Sequence, residues 1–359
     1  MTRRFAVVAL CLAAAGAVWP GNPLGAQPSD LLYVCVQDDA KIAVVDMGTR
    51  AVVRTIDLTT LGFPATAKPH FVVVEPDGQH WYVSLIGANR VVKFDRTDRI
   101  VAQFEMETPG MLALSGPDTL VVTRSMSAVN PPKRIAIVNR TTMKGDEVDV
   151  IFPRPHPMVA SRAGFAYTGS LGVNQIASIS LADQRVEIVP VTGATHSFVQ
   201  FALAPDGKTL VGSTEVSGQL LVFDLAQPAK PALVKSIPVG TMAFDPTYSA
   251  DGAVVYVPVK STNEVVVIDA ATWTVKTRIK DAAFQQPHQV VLSRDGSTAF
   301  VTNNNKMDHM ADPAHAGHAM PAAGGGAASL VVVDTKTGRV VKAIELGRNL
   351  TGMGTRPRG

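Results

Sequence analysis

Cysteine is almost missing from this sequence. There are 2 in 359 residues, Cys11 and Cys35. Cys11 lies in an apolar N-terminal run, so removal of that run leaves one thiol. One thiol cannot form an internal disulfide, and covalent c-type haem needs C-x-x-C-H; both are excluded. Cys35 sits inside LLYVCV and reads as a buried core thiol. Charge is scarce as well: 18% of residues are charged and the net charge is +3. No basic run with interleaved aromatics occurs, so nucleic acid has no electrostatic footprint to recognise. No serine nucleophile motif, phosphate loop, dinucleotide fingerprint or metalloprotease pair is present. Beyond the N-terminal run there is no long segment of 3.6-residue period, which argues against a helical fold.

Residues 1–26 have the features of an export signal. Arg3 and Arg4 precede an apolar stretch, Phe5 to Val18, and a polar stretch with Pro and Gly follows. Cleavage is expected after Ala26 or Ala17. The apolar run is short for a spanning helix. The expectation is therefore a periplasmic or otherwise exported protein with no stable membrane span once the signal is removed. Leu10 before Cys11 is not the small residue that a lipoprotein signal needs.

What the sequence does have is repetition. Short runs rich in Val, Ile and aromatics recur in sets of four. In the clearest copies the first run ends in an Asp-Gly turn, the second carries an aromatic-Val pair, the third ends in Asp or Asn, and the fourth alternates. The third run marks the count: KIAVVD (41–46), RVVKFD (90–95), RIAIVN (134–139), QIASIS (175–180), QLLVFD (219–224), EVVVID (264–269) and SLVVVD (329–334). Seven copies about 40 residues apart predict an all-β fold, a seven-bladed β-propeller of four-stranded antiparallel blades. The first copy begins at Leu31 without its first run. Residues 349–356 can supply that strand and close the ring, leaving no open edge. One propeller domain is expected over 31–359, with a loop insert at 306–328 in the last blade.

The repeat resembles the YVTN-type β-propeller repeat family. Phe300-Val301-Thr302-Asn303 nearly spells its signature, and Tyr256-Val257 and Tyr82-Val83 match in part. The turns Asp77-Gly78, Asp206-Gly207, Asp251-Gly252 and Asp295-Gly296 fall where that family has them. The resemblance covers essentially the whole chain after the signal. It implies the fold and leaves the activity open, because propellers host many functions.

In such a blade, residues just before the first strand ring the mouth of the central channel. Four of the 8 histidines fall there: His70, His156, His196 and His288. Three follow a proline. His196 is offset by a residue or more, and the third blade has Pro109-Gly110 instead. Imidazoles converging on a channel mouth suit a transition metal, a haem iron or an anionic ligand. The competing reading is that each His caps a strand by bonding a backbone carbonyl. The insert adds Met307, His309, Met310, His315, His318 and Met320, with Asp308 and Asp312. Thioethers with imidazoles suit copper, and the Gly324-Gly325-Gly326 tail suits a flexible arm. Asn303 to Asn305 could bind a ligand on the same face, although Asn is also the usual turn residue there; His80 and the aspartates ending the third runs read as structural.

Similarity to cytochrome d1-type propellers and to the propeller of nitrous oxide reductase implies haem or copper at a histidine face. This chain has too few ring histidines for a copper cluster and lacks both a c-haem segment and a cupredoxin domain. Three functions stay open. The favoured one is an exported propeller that binds a metal, copper before non-covalent haem, in an accessory role rather than as an enzyme. The second is a lactonase- or lyase-type enzyme using a channel-mouth His or a divalent ion, although no carboxylate ligands are evident beside the Pro-His pairs. The third is a metal-free scaffold for another envelope protein.

Overall fold

The computed structural model describes residues 30–128, 130–306 and 326–357. The export signal and the Met/His set of the insert (Met307, His309, Met310, His315, His318, Met320) lie outside the described residues.

Burial sorts the four runs of each repeat. In the second blade the strands His80–Leu85 and Arg90–Asp95 are buried along nearly their whole length. Both faces of such strands pack on neighbouring blades, so they are apolar throughout instead of alternating. The outermost strand, Ile100–Glu105, alternates between half-buried and exposed. The result is seven four-stranded antiparallel sheets, and in six of them the strands run in chain order from the channel outward. This is a seven-bladed β-propeller. All seven marker runs form third strands.

The first blade is composite. Leu31–Val36 pairs with Lys41–Asp46 on one side and with Leu350–Gly354 on the other. The late strand thus supplies the inner strand that the first repeat lacks. Nearby, Asp30 accepts from Arg294 at 2.9 Å and from Arg356 at 2.9 Å, tying the two ends to the last blade.

Two repeated devices shape the turns. Gly78, Gly207, Gly252 and Gly296 take φ between +70° and +74°, a region that costs glycine little. The aspartates that end third strands accept backbone N–H groups just beyond: Asp95 from Thr97 at 2.8 Å, Asp269 from Thr272 at 2.8 Å and Asp334 from Thr337 at 2.8 Å. Each side chain stands in for a backbone acceptor in the hairpin. Cys35 is fully buried, and that burial pushes its thiol pKa well up.

Candidate functional site

The inner strands define a common register. The backbone N–H groups of Phe71, Met111, Gln200 and Gln289 donate to the hydroxyls of Ser84, Thr123, Ser213 and Thr302 on their second strands, at 3.2 to 3.3 Å. The residue before each of these is therefore equivalent: His70, Gly110, Val199 and His288. His156 and Thr351 share the level, because their carbonyls accept from Thr123 and Thr302 of the preceding blade. Phe244 follows Ala243, which bridges to Val259 as Pro69 pairs with Leu85. One tier of seven residues thus surrounds the channel: Thr351, His70, Gly110, His156, Val199, Phe244 and His288.

Three of the four candidate histidines meet in this tier. The His70 ring lies 6.2 Å from that of His156 and 6.4 Å from that of His288, centroid to centroid. His288 also leans on Phe244 at 5.0 Å. All three are buried, at 3 to 6% exposure. His196 does not join them, which corrects the expected ring of four. It precedes the inner strand Phe198–Leu203, and the intervening Ser197 has φ +57°. Its backbone N–H is held by Asn174 at 2.9 Å, and its ring lies 2.9 Å from the Ser217 hydroxyl and 3.0 Å from the Thr192 carbonyl. The longer link of this blade carries His196 into a turn and leaves Val199 at the tier.

Two of the three imidazoles have a fixed tautomer. Nδ1–H of His70 donates to Gln37 Oε1 at 2.9 Å, and Nδ1–H of His156 donates to the Arg124 carbonyl at 3.0 Å. The second bond is the backbone capping that a structural role predicts. It also leaves Nε2 with the lone pair, as does the first. Nε2 of His70 is buried and has no hydrogen-bond partner among the described residues. Nδ1 of His288 lies 4.0 Å from Asp245 Oδ2. Burial, reinforced by His156 and Lys260, pushes the His70 pKa down to about 3. Burial likewise takes His156 down to about 4, against the opposing Arg124 bond. Both rings are therefore neutral near pH 7, the state that binds metal.

A second tier lies above the first. It consists of the residue following each second strand: Gln37, Ile86, Ser125, Leu171, Glu215, Lys260 and Asn304. Two of these are buried charges that sequence reasoning missed. Lys260 is 1% exposed, and its Nζ sits 3.3 Å from the centre of the Phe244 ring. Burial lowers its pKa to about 7, opposed by Glu215 and Asp245. Glu215 is 3% exposed and accepts from Ser197 Oγ at 3.3 Å. Asp245 is 2% exposed, and burial raises its pKa to about 7 despite Lys260. Carboxylates do stand near the Pro-His positions after all. Aligning the residues after each second strand would have exposed Glu215 and Lys260, since the matching residues elsewhere are uncharged.

The stem of the insert adjoins His288. Asn304 and Asn305 donate backbone N–H groups to the Gln286 and Gln285 carbonyls, and Asn305 Nδ2 donates to Ala327 O at 2.9 Å across the base. Asn303 and Asn304 spend their side chains on Ala283 O and Leu350 O. Of the two roles open to the asparagine run, these bonds fit the turn role. His80 contacts Glu75 at 3.1 Å on the turn-bearing side, which fits its structural reading.

Among the described residues, no group of three or more His, Cys, Asp or Glu is placed to hold a metal ion as it stands. Two imidazoles on one tetrahedral metal have centroids about 5 Å apart, given metal–nitrogen bonds of about 2.0 Å. The observed pairs are about 1 Å wider.

The fold and its channel define a seven-bladed propeller, and comparison with known proteins agrees. No protein-family model matches the sequence, and no curated protein matches it. Among solved structures, a functionally unknown protein from Desulfotomaculum acetoxidans DSM 771 is similar, with TM-score 0.72 and 14% identity over 92% of this chain and 100% of that one. The dihydro-heme d1 dehydrogenase NirN in complex with DHE is similar at TM-score 0.58 and 16% identity, over 93% of this chain and 77% of that one. Hydrazine synthase of Kuenenia stuttgartiensis is similar at TM-score 0.62 and 15% identity, over 79% of this chain and 88% of that one. At such identities the likeness shows the fold alone.

Proposed function

We propose that this protein is an exported propeller that binds a transition metal, copper before a haem-type cofactor, at the histidine end of its channel, in an accessory role. One observation carries the reading. His70, His156 and His288 come from three separate blades into one buried tier, and in two of them Nδ1–H is anchored so that Nε2 keeps its lone pair. Metal-binding histidines are oriented in this way by an acceptor behind the ring. Neutral imidazoles suit copper in either oxidation state. The Met/His insert, whose stem adjoins His288, would serve as the capturing arm. The NirN comparison keeps a haem-type ligand as the alternative cofactor. The YVTN-type family remains the reading of the repeat motif.

The test is metal analysis of untagged protein purified from the periplasm. Bound copper that survives deletion of residues 307–320 but is lost in His70→Ala and His288→Ala places the site at the tier. Copper lost on the deletion alone places it on the arm. Absence of copper, with no haem absorbance on reconstitution, overturns the reading. The buried Asp245 beside His288 favours one further reading, a lactonase- or lyase-type enzyme with an imidazole base. Turnover of lactones by metal-free protein would select it.

A further inference from the structure

Below the histidine tier the channel opens toward the face that carries the Asp-Gly turns. A cavity of about 280 Å³ lies there. Its walls on the second to fourth blades are apolar, with Phe71, Leu112 and Met158 among them. Its wall on the fifth to seventh blades is polar, formed by Gln200, Asp245 and Gln289. These three hold one register position on successive blades. The amide oxygens of the glutamines are already engaged: Gln200 Oε1 accepts from Met158 N at 2.9 Å, and Gln289 Oε1 accepts from Met353 N at 2.5 Å. Each glutamine therefore keeps its NH2 group for another acceptor. Between them, Asp245 is 2% exposed, and its Oδ2 has no hydrogen-bond partner among the described residues. His288 Nδ1, at 4.0 Å, is beyond hydrogen-bond reach.

Lys260 offsets the charge of Asp245 without donating to its Oδ2; a buried carboxylate without a direct donor is costly, and a cationic donor placed against it recovers that cost. We propose that this cavity is a binding site for a small amphiphilic amine. Its ammonium head meets Asp245, oxygen substituents beside the head meet the glutamine amides, and a short apolar body lies against Phe71, Leu112 and Met158. The volume falls at the low end of ligand pockets, about 300 Å³ upward, which limits the body to one ring or a short chain. The site adjoins His288, whose Nδ1 lies 4.0 Å from Asp245 Oδ2, but it makes no use of the His70 and His156 Nε2 lone pairs.

Benzylamine, benzyl alcohol and benzoate serve as matched probes, followed by ligand-observed NMR with the full-length protein. Saturable benzylamine binding is expected, weakened at least about tenfold in the alcohol and in Asp245→Asn, and absent for benzoate. Leu112→Trp fills the apolar wall and should abolish binding with Asp245 intact, which covers the case in which Asp245→Asn fails to fold. No saturable binding of benzylamine would mean that the cavity holds solvent only, and the proposal falls. It falls equally if benzoate binds as well as the amine, or if Leu112→Trp changes nothing.

Discussion

The two ends of the central channel are built from neighbouring residues of the same strands, yet they differ in kind. At the histidine end, three imidazoles and the charges of Glu215 and Lys260 fill the channel, and every one of these groups is buried. One register step away, the channel is open, and a single carboxyl faces apolar walls. The scaffold hydrogen bonds recur from blade to blade, with inner-strand backbone N–H groups donating to second-strand hydroxyls. Chemistry in this fold is thus set by seven side chains per tier and changes completely from one residue to the next. The tiers are legible only when the blades are laid in register.

Three measurements would break or sharpen this contrast. The largest effect is expected from Lys260→Met. It removes the cation that offsets Glu215 and Asp245 in a buried setting, and should lower stability by about 3–5 kcal/mol in urea unfolding. A loss under 1 kcal/mol would show that these charges are solvated, and the two ends alike.

Acid sensitivity comes next. His70 and His156 titrate lower in the folded protein, at about 3 and about 4, than their ordinary value of 6.5. The unfolded chain therefore takes up these protons first. Their contribution is complete above pH 6.5 and is lost as the pH falls toward 4, at up to about 1.4 kcal/mol per pH unit for each ring. Asp245, raised to about 7, acts in the opposite sense. The informative quantity is the difference between wild type and His70→Gln, which should grow by about 3 kcal/mol between pH 6.5 and 4 in favour of the variant. A constant difference would mean that the tier is wet. The smallest effect belongs to the open end. Gln289→Leu strands the Met353 N–H and should cost about 1–2 kcal/mol with no change in pH profile.

The architecture was readable because it rests on local signals that recur. Six of the seven third strands end in a turn-forming Asp or Asn (the fourth ends in Ser180), and each repeat has the same burial demand, so seven copies announce seven blades. The missing first run at Leu31 and the leftover segment after Gly347 told how the ring closes. The site was only half readable. His70, His156 and His288 share a Pro-His pair that pins them to one level. His196 shares only its residue type, and a longer link with a positive-φ serine moves it aside. Glu215 comes from the fifth blade, Lys260 and Asp245 from two different segments of the sixth, and they carry no common motif. Their significance lies in being buried together, a tertiary property that no stretch of sequence displays.

Closure by Leu350–Gly354 also sets a timetable. The strand Leu31–Val36 leaves the ribosome early, but its inner partner follows about 320 residues later. At ordinary elongation rates of about 5–20 residues per second, that edge waits on the order of 15 to 60 s unpaired. Leu31–Val36 thus has the largest sequence separation from its inner partner of any strand in the ring. Loss of the last strand would make that transient exposure permanent.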